Sequence, residues 1–276
     1  MFESSPINDE LVEADLARRF AGIARLYGDQ GLQRLQSAKV CVIGIGGVGS
    51  WAAESLARSA IGALCLVDMD VVAESNINRQ LVATSATLGR DKIDVMRERI
   101  EQINPQCKLS LVDDFVRQDN LDTLVDASCD YIIDCIDDFR IKAALISFCR
   151  TNGIKLLTVG GAGGQIDPSK IVQGDLSKTE HDVLLARTRK LLRQDYRFPK
   201  NLKRSFGVPC IYSKEQLVYP DGHGNVSPQR PINSGEASQS NALNCAGGMG
   251  SVTHLTASFG MLASGYVVNK IASDEH

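Results

Sequence analysis

The segment from Lys39 to Gly49 constrains this chain more than any other. A short β-branched run, Lys39-Val40-Cys41-Val42-Ile43, passes directly into Gly44-Ile45-Gly46-Gly47-Val48-Gly49 and then into a helix-like stretch, Ser50 to Ala60. Glycines at this spacing admit a tight turn and let a phosphate approach backbone N–H groups at the positive end of a helix. Strand, glycine loop and helix in that order favour a nucleotide site over mere close packing through small residues. Enzymes that bind NAD use the same loop, so the loop alone leaves the nucleotide open.

The pattern around the loop repeats. Apolar runs at Ala63 to Asp68, Cys107 to Val112, Tyr131 to Cys135 and Lys155 to Gly160 alternate with helical segments at Lys92 to Ile103 and Phe139 to Asn152. Such alternation predicts right-handed βαβ units, and so an α/β, Rossmann-like fold with a mostly parallel sheet flanked by helices. Two short helices, over 10–26 and 29–37, precede the first strand. Past Gly160 the pattern loosens into the glycine run Gly160-Gly161-Ala162-Gly163-Gly164. Strands of a different, mixed region are expected at Ile171 to Leu176 and Pro209 to Ser213, and a helix over Gly247 to Ile271. The expected organisation is N-terminal helices (1–37), a nucleotide-binding core (38–168) and a C-terminal region (169–276) packed on that core as one domain, which 276 residues can support.

Composition excludes other classes. A hydrophobic fraction of 43% and a charged fraction of 23% rule out a disordered or fibrous chain, and a net charge of −3 gives no uniform attraction to nucleic acid or membrane. The eight cysteines contain no C-x-x-C pair, so no structural zinc is expected, and most sit in apolar runs where cysteine acts as a small hydrophobe. With an acidic, polar N-terminus that lacks a signal segment, the expected setting is the reducing cytoplasm. Ala242 to Val268 is free of charge, yet Asn244, His254 and many small residues predict a buried or interface helix rather than a stable membrane insertion. His181, His223, His254 and His276 show no metal spacing and are given no role.

The residues after the glycine loop narrow the chemistry. Asp68 closes the second strand where an acidic side chain would meet ribose hydroxyls. The chain then runs through Asp70 and Glu74-Ser75-Asn76-Ile77-Asn78-Arg79-Gln80 to Gly89-Arg90-Asp91-Lys92. Two cations in this position suit a triphosphate better than a nicotinamide: Arg79 could fork onto phosphate oxygens and Lys92 act as a point charge. The bland alternative is two solvated helix charges. Asp137, in Asp134-Cys135-Ile136-Asp137-Asp138, falls on the same carboxyl edge and could hold magnesium on the phosphates.

Together these motifs resemble the ubiquitin-activating, E1-like adenylation family, which includes the bacterial adenylyltransferases of thiamine and molybdopterin synthesis. The resemblance implies an E1-type adenylation fold with ATP on Gly44, Gly46, Gly47 and Gly49 and ribose on Asp68. Asp70 and Gln80 belong to the same implied site. Asn76, Arg79 and Lys92 would hold the phosphates, with magnesium near Asp137. It further implies a homodimer in which an N-terminal arginine, best matched by Arg25, reaches the partner's site. The zinc-binding cysteine pairs of the sulfur-carrier activating members are absent. Instead, Arg25-Leu26-Tyr27-Gly28, Val112-Asp113-Asp114-Phe115-Val116, Gly160 to Pro168 and Leu217-Val218-Tyr219-Pro220 resemble the tRNA-modifying branch of the family.

That branch implies ATP-dependent dehydration of threonylcarbamoyladenosine in tRNA. The threonine carboxylate attacks the α-phosphate, pyrophosphate leaves, and an intramolecular nitrogen closes a ring and releases AMP. Arg187, Arg189, Lys190, Arg193, Arg197, Lys200, Lys203 and Arg204 face a single acid, Asp195, which gives residues 187–204 a net charge of +7. Read alone, this strip is equally a solvated helix face; read with the family, it is a tRNA contact, with Tyr196, Phe198 and Phe206 offering flat faces for bases. One alternative keeps adenylation but activates a carrier-protein C-terminus, with sulfur relayed through Cys245 and a cysteine-desulfurase or sulfur-acceptor system as partner. A second is a nucleotide-sensing scaffold without turnover.

Overall fold

The computed structural model describes residues 15–221, 223–229 and 249–273. Strands β1 (Lys39–Ile43), β2 (Ala63–Val67), β3 (Lys108–Val112), β4 (Tyr131–Asp134), β5 (Leu156–Val159), β6 (Ile171–Asp175) and β7 (Pro209–Ser213) form one seven-stranded sheet. Their order is β3-β2-β1-β4-β5-β7-β6, and only the β6–β7 pair is antiparallel. The two late strands therefore extend the core sheet itself: β7 pairs parallel with β5 through Thr158 and Cys210. The looser sequence after Gly160 marks an altered connection between strands of one sheet.

Helices α1 (Leu16–Ser37), α2 (Gly49–Arg58), α3 (Lys92–Ile103), α4 (Leu121–Leu124), α5 (Phe139–Thr151), α6 (Val183–Asp195) and α7 (Thr253–Ala272) cover the sheet. Val40, Val42, Leu64, Leu66 and Ile133 point toward Leu56, Met96 and Phe259 of α2, α3 and α7. Cys41, Ile43, Cys65, Val67 and Ile132 point to the other face, toward Leu145 and Leu185 of α5 and α6. Both faces are buried, which is why the strands read as continuous apolar runs rather than alternating ones. A short hairpin, β8 (Tyr219–Pro220) with β9 (Val226–Ser227), stands apart from the sheet.

The helix expected in the charge-free stretch is α7, and it lies against α2. Gly260 makes this possible, since a Cβ there would stand 2.6 Å from the Val48 carbonyl oxygen and 2.8 Å from Trp51 Cβ. Ser264 Oγ donates to Ser55 Oγ across the same seam at 2.7 Å. Among the described residues no helix is long and apolar enough to cross a membrane.

The α1 span breaks at Gly28, whose φ of 75° and ψ of 167° place it in a region reserved for glycine. All of α1 is tied to the edge of the sheet where the parallel strands begin. Arg19 Nη1 donates to the Gln102 and Ile103 carbonyls at 2.9 Å, Tyr27 to Asn269 Oδ1 at 2.6 Å, and Arg34 Nε to the Ala272 carbonyl at 2.9 Å.

Replacing Gly260 by valine should separate α7 from α2. The expected loss is about 1–3 kcal/mol of stability, read as a lower urea midpoint; an unchanged midpoint would contradict the close helix contact.

Candidate active site

The strand order reverses between β1 and β4, and in such sheets ligands bind in the crevice at the carboxyl ends of those strands. Gly44 leaves β1 with a φ of 90°, and a Cβ on it would stand 3.1 Å from the Cys135 carbonyl oxygen just past β4. A side chain on Gly49 would overlap the Gly44 carbonyl oxygen, so α2 can start where it does only from a glycine. Gly47 packs toward Arg79 and Thr256, while a Cβ on Gly46 would lie 3.8 Å from Gln80 Nε2. The Ser50 hydroxyl locks the loop by donating to the Gly46 carbonyl at 2.7 Å and accepting from Leu81 N–H at 3.2 Å.

Asp68, at the end of β2, accepts from Ile45 N–H at 2.6 Å and from Asp70 N–H at 2.8 Å, which fixes its carboxylate to the glycine loop. Each oxygen retains lone pairs for a ribose hydroxyl. Burial pushes its carboxyl above the usual range, opposed by the Lys92 ammonium and by those two N–H groups. Lys92 opens α3, and its side chain is only 6% exposed; its Nζ donates to Asp70 Oδ2 at 2.7 Å, whereas Asp70 is 59% exposed. The ammonium is thus sheltered, with an exchangeable carboxylate as its partner.

A 3₁₀ turn at Glu74–Asn76 presents the remaining polar groups. Asn76 Oδ1 accepts from Ala73 N–H at 3.1 Å and closes that turn. Arg79 Nη1 donates to the Ser75 carbonyl at 2.6 Å and to Asn78 Oδ1 at 3.0 Å, leaving the rest of an exposed guanidinium fork. Helix α2, helix α7 and the residues just before α7 hold this segment: Trp51 Nε1 and Thr256 Oγ1 donate to the Arg79 carbonyl, Thr253 Oγ1 to that of Asn78, and Asn78 Nδ2 to the Ser251 carbonyl. Gln80 is buried with its Oε1 unpartnered among the described residues. An orphaned acceptor beside a glycine cradle fits a ligand in the crevice.

Asp137 is exposed two residues past Cys135, on the β4 side of the crevice. No group of three or more metal-ligating side chains occurs among the described residues. A single carboxylate suits an ion shared with phosphate oxygens better than one held by protein alone. Behind Asp137 lies an ion pair that the motifs did not announce. Lys142 and Asp134 are both 0% exposed, with Nζ donating to Oδ2 at 2.8 Å, and Thr158 Oγ1 donates to the same oxygen at 2.7 Å. Asp134 Oδ1 accepts from Ile136 N–H at 3.1 Å, so the pair anchors the loop that carries Asp137. A lone lysine before Ala143-Ala144-Leu145-Ile146 was the available signal.

Arg25 stands between Arg19 and Tyr27, both tied to the opposite edge of the sheet, so it is remote from its own glycine loop. The basic strip is divided. Lys190, Arg197, Lys200, Lys203 and Arg204 are exposed. Arg187 lies over the Phe139 ring and Arg193 over Phe206, and Arg189 donates to Thr179 Oγ1. The expected flat faces are a correction: Phe198 and Phe206 are buried and packed edge to face at 5.0 Å. The left-handed Arg197 (φ 58°) ends α6 and turns Phe198 inward, where Phe198 N–H meets the Leu192 carbonyl at 3.1 Å. Tyr196 is half-buried, with its hydroxyl accepting from Gln118 Nε2. Cys245 lies outside the described residues. Of the other cysteines, six are buried and Cys135 is half-buried; burial pushes the Cys149 thiol up to about 12, which keeps it protonated.

The ThiF family model matches residues 17–262. The tRNA threonylcarbamoyladenosine dehydratase of Escherichia coli is 48% identical over 254 residues, 92% of this chain and 93% of that protein. Its namesake in Haemophilus influenzae is 46% identical over the same shares. The crystal structure of the E. coli enzyme, TcdA, in complex with ATP superposes with a TM-score of 0.82 at 44% identity, over 96% of this chain and 98% of that one.

Lys142→Met should cost about 3–5 kcal/mol, because Asp134 is left as an uncompensated buried charge. Asp134→Asn combined with it should restore most of that loss in chemical denaturation. Equal stability of the single and double variants would refute the pairing.

Proposed function

Because the chain belongs to the ThiF family, with its E1-like adenylation fold, we propose that it is the ATP-dependent enzyme that dehydrates threonylcarbamoyladenosine in tRNA. The observation that carries this reading is the match, along 92% of the chain, to an E. coli enzyme of that name. The crevice supplies what the reaction needs. ATP lies with its phosphates along the glycine loop and its ribose at Asp68. The threonine carboxylate attacks the α-phosphorus, pyrophosphate departs, and a nitrogen of the same urea group attacks the activated carbonyl. The carboxylate oxygen leaves with AMP, so the modified base loses one water.

Arg79 and Lys92 stabilise the charge that develops on the phosphates. Lys92 exchanges its bond to Asp70 for one to phosphate, and Asn76 and Gln80 complete the cradle. Asp137 is the residue that would help hold a magnesium ion, which would supply further positive charge against the leaving group. The attacking group is part of the substrate, so proximity replaces a protein thiol, and Cys245 is not required. Arg25 completes the site of a partner subunit in a homodimer, which its position away from its own loop favours. The exposed residues Lys190, Arg197, Lys200, Lys203 and Arg204 track the tRNA backbone, while Arg187, Arg189 and Arg193 support them. A cysteine-desulfurase or sulfur-acceptor system remains a candidate partner, tested by co-purification.

Mass spectrometry of nucleosides tests the reading after incubation with ATP, magnesium and threonylcarbamoylated tRNA. Loss of one water that requires ATP is expected; an unchanged nucleoside with folded, ATP-bound protein would refute it. Arg79→Ala and Lys92→Ala should each lower kcat by about 100-fold or more, and Cys245→Ala should leave it unchanged.

A further inference from the structure

A cavity of about 350 Å³ opens between α6 and the β8–β9 hairpin, outside the nucleotide crevice. Its volume falls at the lower end of small-molecule sites. Asp182 forms one wall and is rigidly placed: its Oδ2 accepts from Gly161 N–H at 2.9 Å and its Oδ1 from Leu185 N–H at 2.8 Å. A side chain on Gly160 would overlap that carboxylate, which accounts for part of the glycine run. His181, at the rim, holds a left-handed φ of 54°, rare for a residue with a Cβ.

The rest of the lining mixes two kinds of group. Tyr219 brings a flat ring, with Leu217 and the Ala186 methyl as apolar neighbours, whereas Arg189 and Gln216 bring hydrogen-bonding edges. Arg189 is half-buried and donates through Nη1 to Thr179 Oγ1, with further donors on its fork. A flat surface beside polar edges is how proteins hold an unpaired base, stacked on one side and bonded at its rim.

Position connects this cavity to the chemistry. Gly161 lies just past β5, and only β4 separates β5 from β1 and its glycine loop. At a strand spacing of about 4.8 Å, Gly161, which holds the Asp182 wall of the cavity, lies roughly 10 Å from the glycine loop along one sheet edge. The threonylcarbamoyl chain spans five bonds from the adenine nitrogen to a carboxylate oxygen, about 6 Å when extended, and half the width of the purine makes up the difference.

We propose that this cavity seats the modified adenine, unstacked from the tRNA loop, so that its carboxylate reaches past β4 to the α-phosphate. The assignment rests on the function proposed above and adds the subsite that sets its substrate. Tyr219 stacks on the purine, and Arg189 and Gln216 bond its edge.

Ala186→Trp fills the mouth of the cavity from an exposed position on α6, and Tyr219→Ala removes the stacking ring. Steady-state kinetics with threonylcarbamoylated tRNA should show KM for tRNA raised by about tenfold or more in both variants, with KM for ATP within about twofold of the unsubstituted protein. If both variants keep KM for tRNA within about twofold while the unsubstituted protein turns over, the cavity assignment alone is overturned. A parallel rise in KM for ATP overturns it as well, because the effect then lies in the fold. If the unsubstituted protein releases no water from the base, the parent function fails and this subsite fails with it.

Discussion

Helix α2 starts against the carbonyl of Gly44, at a distance no residue but glycine allows at position 49. That contact sets the height of the helix over β1, and with it the direction of the N–H groups that line the crevice. It also brings Ile45 N–H within 2.6 Å of Asp68, so the end of β2 and the loop after β1 become one unit. The Ser50 hydroxyl extends the unit to Leu81, and α7 holds the Asn78 and Arg79 carbonyls through Thr253 and Thr256. Remove the close approach at Gly49 and each of these bonds loses its geometry.

The electrostatics depend on where the backbone puts charge. Lys92 is sheltered yet paired with an exposed Asp70, a bond that a phosphate can displace at small cost in solvation. Lys142 and Asp134 form the opposite case, a fully buried pair with every oxygen occupied. The first pair serves ligand exchange and the second holds a loop in place. The two cationic functions of the site thus differ in burial of the partner rather than in residue type.

Much of this was legible in the sequence because its causes are local. The glycine spacing, the apolar runs and the acid closing β2 each act within a few residues, and the strands and helices of the core lie within a residue or two of the expected bounds. Long-range placement was not legible. Nothing near Pro209 states that β7 inserts between β5 and β6, since a strand's neighbours are chosen by packing across the whole sheet. Nor does Phe198 reveal in sequence that the left-handed Arg197 turns it into the core rather than toward an RNA base. Lys142 and Asp182 were overlooked for a related reason: each matters through a partner in another element, Asp134 at the end of β4 and Gly161 past β5.

The central claim is that the crevice activates a carboxylate of the substrate as an adenylate. It is tested most directly by labelling the threonine carboxylate of the tRNA substrate with heavy oxygen and weighing the nucleotide product after turnover. Transfer of one heavy oxygen to AMP, with pyrophosphate unlabelled, is the result this account predicts. Unlabelled AMP, or ADP with labelled phosphate, would contradict it.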